Sequence, residues 1–204
     1  MQSNVTYGIV SQQRKNSLIK ELFRKSIHIC SSFVPFFLKI AYWPIITLLF
    51  LALILYSTSE ILRLKGYSIP VISKITEIAA RKRDENKFVL GPVTLVIGIL
   101  LAALILPLDC AKIGIFALAF GDGLASLTGR MIGKITIPGA HGKTVAGSLA
   151  CFLAVYIATF CVCGNCYVSL VIGVCAMLIE VLPLADFDNV LIPICIGFLY
   201  SIII

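Results

Sequence analysis

Charge is what this sequence has least of. Asp, Glu, Lys and Arg make up 13% of its 204 residues while 59% are hydrophobic, against roughly 25% charge in an ordinary soluble domain. That balance excludes a soluble fold. The familiar signatures of nucleic-acid readout are missing too, so the formal charge of +7 does not indicate a nucleic-acid partner. Met1 to Lys25 is polar and lacks the cleavage-site pattern of a signal peptide, and insertion through the chain's own spans is expected. Eight cysteines are present, but Cys161, Cys163 and Cys166 are followed by no histidine or second cysteine pair at structural-zinc spacing. They read either as small apolar packing residues or as a labile outer-face disulfide.

What is there is a series of long apolar blocks. They run over Ile27 to Ile40, Ala41 to Ser57, Phe88 to Leu108, Ala111 to Leu127, Val145 to Val162, Tyr167 to Leu182 and Asn189 to Ile204. The expected fold is all-α, a polytopic membrane protein of about seven transmembrane helices. Pro44 makes the first two blocks either two short spans or a broken hairpin, and a minimal turn is expected near Asp109 and Cys110. A basic cytoplasmic tail, 1–25, precedes a single membrane-embedded domain, 26–204, with a cytoplasmic amphipathic segment at 60–87.

The basic residues orient this arrangement. Arg14, Lys15, Lys20, Arg24 and Lys25 lie in the tail, and Arg63, Lys65, Lys74, Arg81, Lys82, Arg83 and Lys87 lie in the 60–87 segment. Arg130, Lys134 and Lys143 fall on the same predicted side, which puts the amino terminus in the cytoplasm by the positive-inside rule. A cell inner membrane is the expected location. Val71, Ile72, Ile75, Ile78 and Ala79 recur at helical spacing and predict an interfacial helix.

Asp122 is the strongest chemical clue. It interrupts the apolar run Ile115 to Leu127, where a carboxylate needs a cation, a proton or a polar cavity. It is either an internal polar bridge or a substrate or metal ligand. Ser126, Gly129 and Gly133 follow on roughly one helical face; the glycines either pack helices closely or admit a phosphate near backbone. Lys134, His141, Gly142, Lys143 and Thr144 then bring cations, glycine and a helix start together, suited to phosphate. A P-loop is excluded because Ile137 occupies its first glycine position. His141 reads as a loop hydrogen-bonding residue. Glu180, Asp186 and Asp188 offer hard oxygen ligands for Mg²⁺ carrying nucleotide phosphates, or else a solvated turn with helix caps. Arg24, Lys25, His28, Glu60 and Arg63 lie at the same predicted membrane face, as boundary charges or as parts of one shared pocket.

The stretch from Phe120-Gly-Asp122 through Gly129-Arg-Met-Ile-Gly133-Lys134, followed by Gly142-Lys143-Thr144-Val-Ala-Gly147-Ser148, resembles the polyprenol kinase family. That family includes dolichol kinase, phytol kinase and the CTP-dependent diacylglycerol kinase, and is related to phosphatidate cytidylyltransferase-like membrane enzymes. Arg24-Lys25-Ser-Ile-His28, Glu60-Ile-Leu-Arg63, Gly91-Pro92, Glu180 and Asp188-Asn189 with Pro193 extend the resemblance along nearly the whole chain. It implies that Arg24, Lys25, Asp122, Gly129 and Lys143 belong to a nucleotide-handling region. The chain departs from the pattern at Ala146, where many relatives carry glutamate.

The reading that results is a lipid kinase moving a phosphoryl group from a nucleotide, expected to be CTP, to a membrane lipid alcohol such as an isoprenoid alcohol or diacylglycerol. Asp122, Lys143, Asp188 and Glu180 are its catalytic candidates. Arg24, Lys25, Gly129, Gly133, Lys134, Gly142 and Thr144 are its nucleotide-binding candidates, and Asp122, Asp188 and Glu180 its Mg²⁺ ligands. No protein partner is expected. The alternatives are cytidylyl transfer to a lipid phosphate and a small-solute or lipid transporter.

Overall fold

The computed structural model describes residues 17–67, 70, 76, 84, 87–140 and 142–204. It is 82% helical without strands among the described residues. Helix α1 covers residues 17–30 and passes through a 3₁₀ turn, Ser31–Phe33, into α2, Val34–Ile40. Then come α3, Tyr42–Leu64, α4, Gly91–Ile105, and α5, Leu108–Ile132. The last three are α6, Val145–Cys163, α7, Cys166–Val181, and α8, Asp188–Ile203. The interfacial helix expected around 71–83, most of the 1–25 tail and His141 lie outside the described residues.

Prolines and caps place most boundaries. Pro44 has no N–H, and its ring would clash with the Ile40 carbonyl if the helix ran through. So α2 ends at Ile40, and Pro44 sits in the first turn of α3. Pro107 likewise forces Leu106 into an extended conformation (φ −104°, ψ 152°) and ends α4. The turn thus falls earlier than expected, with Asp109 and Cys110 already inside α5. Between α6 and α7, Gly164 takes the left-handed conformation (φ 65°) that closes a helix. Asn165 then caps the next one, its Oδ1 accepting from the Tyr167 and Val168 amides at 3.0 and 3.2 Å.

Three helices, α3, α5 and α6, are long and apolar enough to cross a membrane, and α4, α7 and α8 are shorter apolar helices of 15 or 16 residues. The chain is thus a helical membrane protein. Its apolar surface is distributed for a lipid solvent: 67% of the α5 span is buried, against 17% for α3 and 28% for α6, so α5 is the central post and α3 a peripheral one. Small residues let helices approach α5 and α4. A Cβ at Gly114 would lie 2.0 Å from the Pro193 carbonyl oxygen, and one at Gly98 would lie 2.0 Å from that of Asn189. Pro193 offers no N–H to the Asn189 carbonyl four residues back, and that carbonyl lies against Gly98 instead. Such backbone contacts hold helices together where lipid removes the hydrophobic incentive.

Candidate functional site

A cavity of about 610 Å³ lies where α1, the second half of α5, the start of α6, the end of α7 and the turn into α8 converge. The backbone prepares it. Residues Ala117–Asp122 of α5 form a π turn, one residue more than an α-helix would use. Such turns re-aim the following side chains and recur at functional sites. After it, Asp122, Ser126 and the adjacent pair Gly129 and Arg130 face the cavity at intervals of about one turn. A short connection follows, in which Ile137 N–H donates to the Lys143 carbonyl at 2.8 Å and Val145 N–H to that of Ile135 at 3.0 Å. Gly142 closes it at φ 85°, a conformation that favours glycine. Lys143 is thereby set just before α6, and Thr144 caps that helix by accepting from the Gly147 amide at 3.2 Å.

The cavity wall carries four cations, Arg24, Lys25, Arg130 and Lys143, and four carboxylates, Glu21, Asp122, Glu180 and Asp188. They are paired across helices. Lys25 of α1 donates to Asp122 Oδ2, and His28 Nδ1 lies 3.3 Å from the same oxygen. All three are at most 5% exposed, so each charge depends on its partner rather than on water. Lys143 donates to the Glu180 backbone carbonyl and stands 3.3 Å from Glu180 Oε1, while Ser148 Oγ donates to Oε2 at 3.2 Å. Glu21 holds two arginines at once, Arg24 on its own helix and Arg130 of α5 at 2.8 Å. Asp188 Oδ1 accepts from the Asn189 amide at 2.9 Å. Asn189 anchors α8 to α4, its Nδ2 donating to Thr94 Oγ1 at 2.9 Å.

The chain is similar to plant phytol kinases. It is 30% identical over 145 residues to a probable chloroplastic phytol kinase 1 of Glycine max, a match that covers 67% of the chain and 46% of that protein. It is 28% identical over 151 residues to the chloroplastic phytol kinase 1 of Arabidopsis thaliana, covering 70% and 48% respectively. An uncharacterized protein of Methanocaldococcus jannaschii is 29% identical over 142 residues, 67% of the chain and 69% of that protein. The chain spans about half the length of the two plant kinases. No family model matches, and neither does any solved structure. The relatives support a phytol-kinase-like family for the chain.

Of the residues singled out in the sequence, Asp122, Lys143, Glu180, Asp188, Arg24, Lys25, Gly129, Gly142 and Thr144 line the cavity. Gly133 and Lys134 do not. Gly133 packs against Thr144, where a Cβ would lie 2.4 Å from Oγ1, and Lys134 is exposed. Gly129 serves packing as well, since a Cβ there would come within 2.9 Å of the same hydroxyl. Ala146 is half-buried and off the cavity wall. Glu60 is buried elsewhere, holding Arg63 through two hydrogen bonds and accepting from the Val89 amide at 2.9 Å, which ties the end of α3 to the start of α4. All eight cysteines are free thiols.

Glu21, Arg130 and Ser148 belong to the site and are not among the site residues expected from the sequence. Each carried a signal. Glu21 precedes Lys25 by one helical turn in an otherwise basic segment, Arg130 follows Asp122 at two turns, and Ser148 follows Thr144 at one. Among the described residues, no three His, Cys, Asp or Glu side chains gather as a metal cage. What the wall does offer is carboxylates beside phosphate-sized space and cations. This fits the way Mg²⁺ is held with one or two carboxylates and substrate phosphates, keeping several waters.

Proposed function

We propose that this protein transfers the terminal phosphoryl group of a nucleotide, CTP by preference, to the hydroxyl of a membrane isoprenoid alcohol. The observation that carries the reading is a large cavity with four cations, walled by helices that are otherwise apolar, in a chain similar to phytol kinases. Phosphoryl transfer asks little covalent chemistry of the protein. It needs the attacking and leaving oxygens in line and the charge on the equatorial oxygens compensated.

In this reading Lys143, Lys25, Arg24 and Arg130 hold the phosphates from opposite walls. Asp122, Glu180 and Asp188 are the residues that would hold Mg²⁺, which supplies charge compensation at the transferred group when bound. The Thr144 hydroxyl and the α6 amides lie at a helix start, where phosphate oxygens are favoured. The acceptor's chain stays in the apolar phase. A shallow cleft of about 20 Å³ lined by Ile27, Pro92 and Leu95 adjoins the site and shares Arg24 with it, and it marks the side from which a chain would have to part α1 and α4 to reach the polar wall.

We place the amino terminus and the cavity together on the cytoplasmic face of a cell inner membrane, on the positive-inside rule and a count of seven crossings with α1 and α2 taken as one; there a water-soluble nucleotide meets a lipid hydroxyl. The test uses purified protein in lipid vesicles with Mg²⁺, an isoprenoid alcohol, and CTP labelled separately at its alpha and terminal phosphates. Terminal label in the lipid is the expected result. Alpha label in the lipid would establish cytidylyl transfer instead. Transport of unmodified solute with neither label transferred would overturn both enzyme readings.

A further inference from the structure

The segment Cys161-Val-Cys163-Gly-Asn-Cys166 takes no part in the phosphate chemistry. It joins α6 to α7, with Cys163 the last residue of one helix and Cys166 the first of the next. Lys143 and Thr144 precede α6 on the cavity wall, and Glu180 reaches the same wall from the last turn of α7. The turn is therefore at the far end of both helices, about 28 Å along the 19 residues of α6.

Cys163 and Cys166 have the Cys-X-X-Cys spacing in which thiols become reactive, and reciprocal contacts bring their sulfurs to one side. Cys166 Sγ lies 3.0 Å from the Tyr156 hydroxyl, and Tyr156 precedes Cys163 by two turns on one face of α6. Cys163 Sγ lies 3.7 Å from Ser169 Oγ, and Ser169 follows Cys166 by one turn on one face of α7. Each thiol thus leans on the helix face that bears the other. Gly164, at φ 65°, makes the reversal between them. Cys161 is exposed and sits about 200° around α6 from Cys163, on a different face. The two thiols also differ in access. Cys166 is exposed, whereas Cys163 is half-buried against Ser169, which is 0% exposed. Only the attacking thiol of a dithiol has to be reached by an oxidant; the second has to reach only the first.

We propose that Cys163 and Cys166 form a reversible dithiol-disulfide site on the membrane face opposite the cavity, oxidised by exchange with a disulfide compound. The Cys166 thiolate attacks one sulfur of the oxidant, whose other sulfur leaves as the first thiol. The Cys163 thiolate then attacks Cys166 Sγ in the mixed disulfide and expels the second. One S–S bond forms within the chain and the oxidant's S–S bond breaks; two electrons pass to the oxidant, and the two cysteine protons end on its released thiols. The choice of face rests on the cytoplasmic placement of the cavity in the reading above, which turns Cys166 toward the side where disulfides persist. The exchange chemistry does not depend on that reading.

The experiment equilibrates the full chain in lipid nanodiscs with oxidised glutathione, quenches it with a maleimide and weighs the α6–α7 peptide. Cys163 and Cys166 are expected to escape alkylation together, in a peptide lighter by two hydrogens, while Cys161 is alkylated and dithiothreitol restores both thiols. Cys163→Ser is expected to hold glutathione on Cys166 as a stable mixed disulfide. In Cys166→Ser, Cys163 should react about tenfold more slowly than Cys166 does in Cys163→Ser, because exposure governs access. Both thiols remaining alkylatable, or Cys161 bridging to either, would overturn the proposal and leave the kinase reading standing. Equal rates in the two variants would overturn the order of attack. A membrane-impermeant maleimide added to sealed cells is expected to label Cys161 and Cys166 from outside. Labelling only after lysis would overturn the assigned face, and with it the cytoplasmic placement of the cavity.

Discussion

Lys25 and Asp122 are 97 residues apart in sequence and form a buried ion pair that joins α1 to the π turn of α5. His28, one turn beyond Lys25, closes on the same carboxylate oxygen. The pair therefore has a structural and a chemical consequence, and they separate by mutation.

Structurally, removing one partner leaves a charge stranded. Lys25→Met is expected to destabilise the protein by about 3–5 kcal/mol, as broken buried pairs do, and Lys25→Met with Asp122→Asn should recover much of that loss. Thermal unfolding in detergent of the two single variants and the double variant checks this. A double variant as unstable as the sum of the singles would mean that the pair is not coupled.

Chemically, the cavity residues should matter for turnover in proportion to their place on its wall. Lys143→Ala is expected to lower kcat/KM by about 10²–10³, the usual effect of removing one preorganised charge-stabilising donor. Lys134→Ala, on an exposed residue off the wall, should lose far less. Steady-state assays of verified folded protein decide it, and comparable losses in the two variants would contradict this placement of the phosphates.

These outcomes bear on how much a reader of the sequence could see. The apolar blocks announced an all-helical membrane protein because lipid leaves few alternatives to the helix, and Asp122 announced itself because a carboxylate in such a run needs a partner. The partner was hidden. Nothing in a linear sequence says that Lys25 rather than another basic residue reaches Asp122, and the π turn that aims Asp122 is a backbone event set by packing. Gly129 and Gly133 left both packing and phosphate open. Packing holds at both, and only Gly129 also reaches the cavity. The α4–α5 turn was misplaced by a few residues because hydropathy runs continuously through it, whereas Pro107 gives the stereochemical stop.

Helix contact through backbone makes a sharper prediction than any charge. At Gly114 the Pro193 carbonyl oxygen would sit 2.0 Å from a Cβ, so Gly114→Ala must push α5 and α8 apart. Overpacking of this kind costs about 1–3 kcal/mol or more. The loss should appear as a lower Tm in detergent, with the α8 end of the cavity loosened and nucleotide affinity reduced. A Tm equal to that of the parent would show that α8 is not seated against Gly114.

The Thr144 cap allows a graded test, because its hydroxyl has two claims on it. It accepts from the Gly147 amide and lines the cavity. Thr144→Ser keeps the oxygen and is expected to keep both stability and nucleotide affinity, whereas Thr144→Ala should lose about 1 kcal/mol of stability, as lost caps do, together with nucleotide affinity. A fall in stability without any fall in affinity would reduce Thr144 to a cap.

The acceptor's route supplies the last test, and it turns on one half-buried residue. The cleft between α1 and α4 is lined by Ile27, Pro92 and Leu95 together with His28, whose Nδ1 lies 3.3 Å from Asp122 Oδ2 on the cavity wall. An apolar chain lying there would present its hydroxyl where the phosphates are held, without drawing either phase into the other. Ile27→Trp fills the cleft from the α1 side and removes no member of the charged pairs. It should therefore raise the KM for a long isoprenoid alcohol about tenfold or more while sparing nucleotide affinity and the turnover of a short, water-soluble prenol. Leu149→Trp, on the exposed face of α6, is the control for added bulk. If long and short alcohols suffered equally in Ile27→Trp, or if Leu149→Trp matched it, the acceptor would have to reach Asp122 by another face of the bundle.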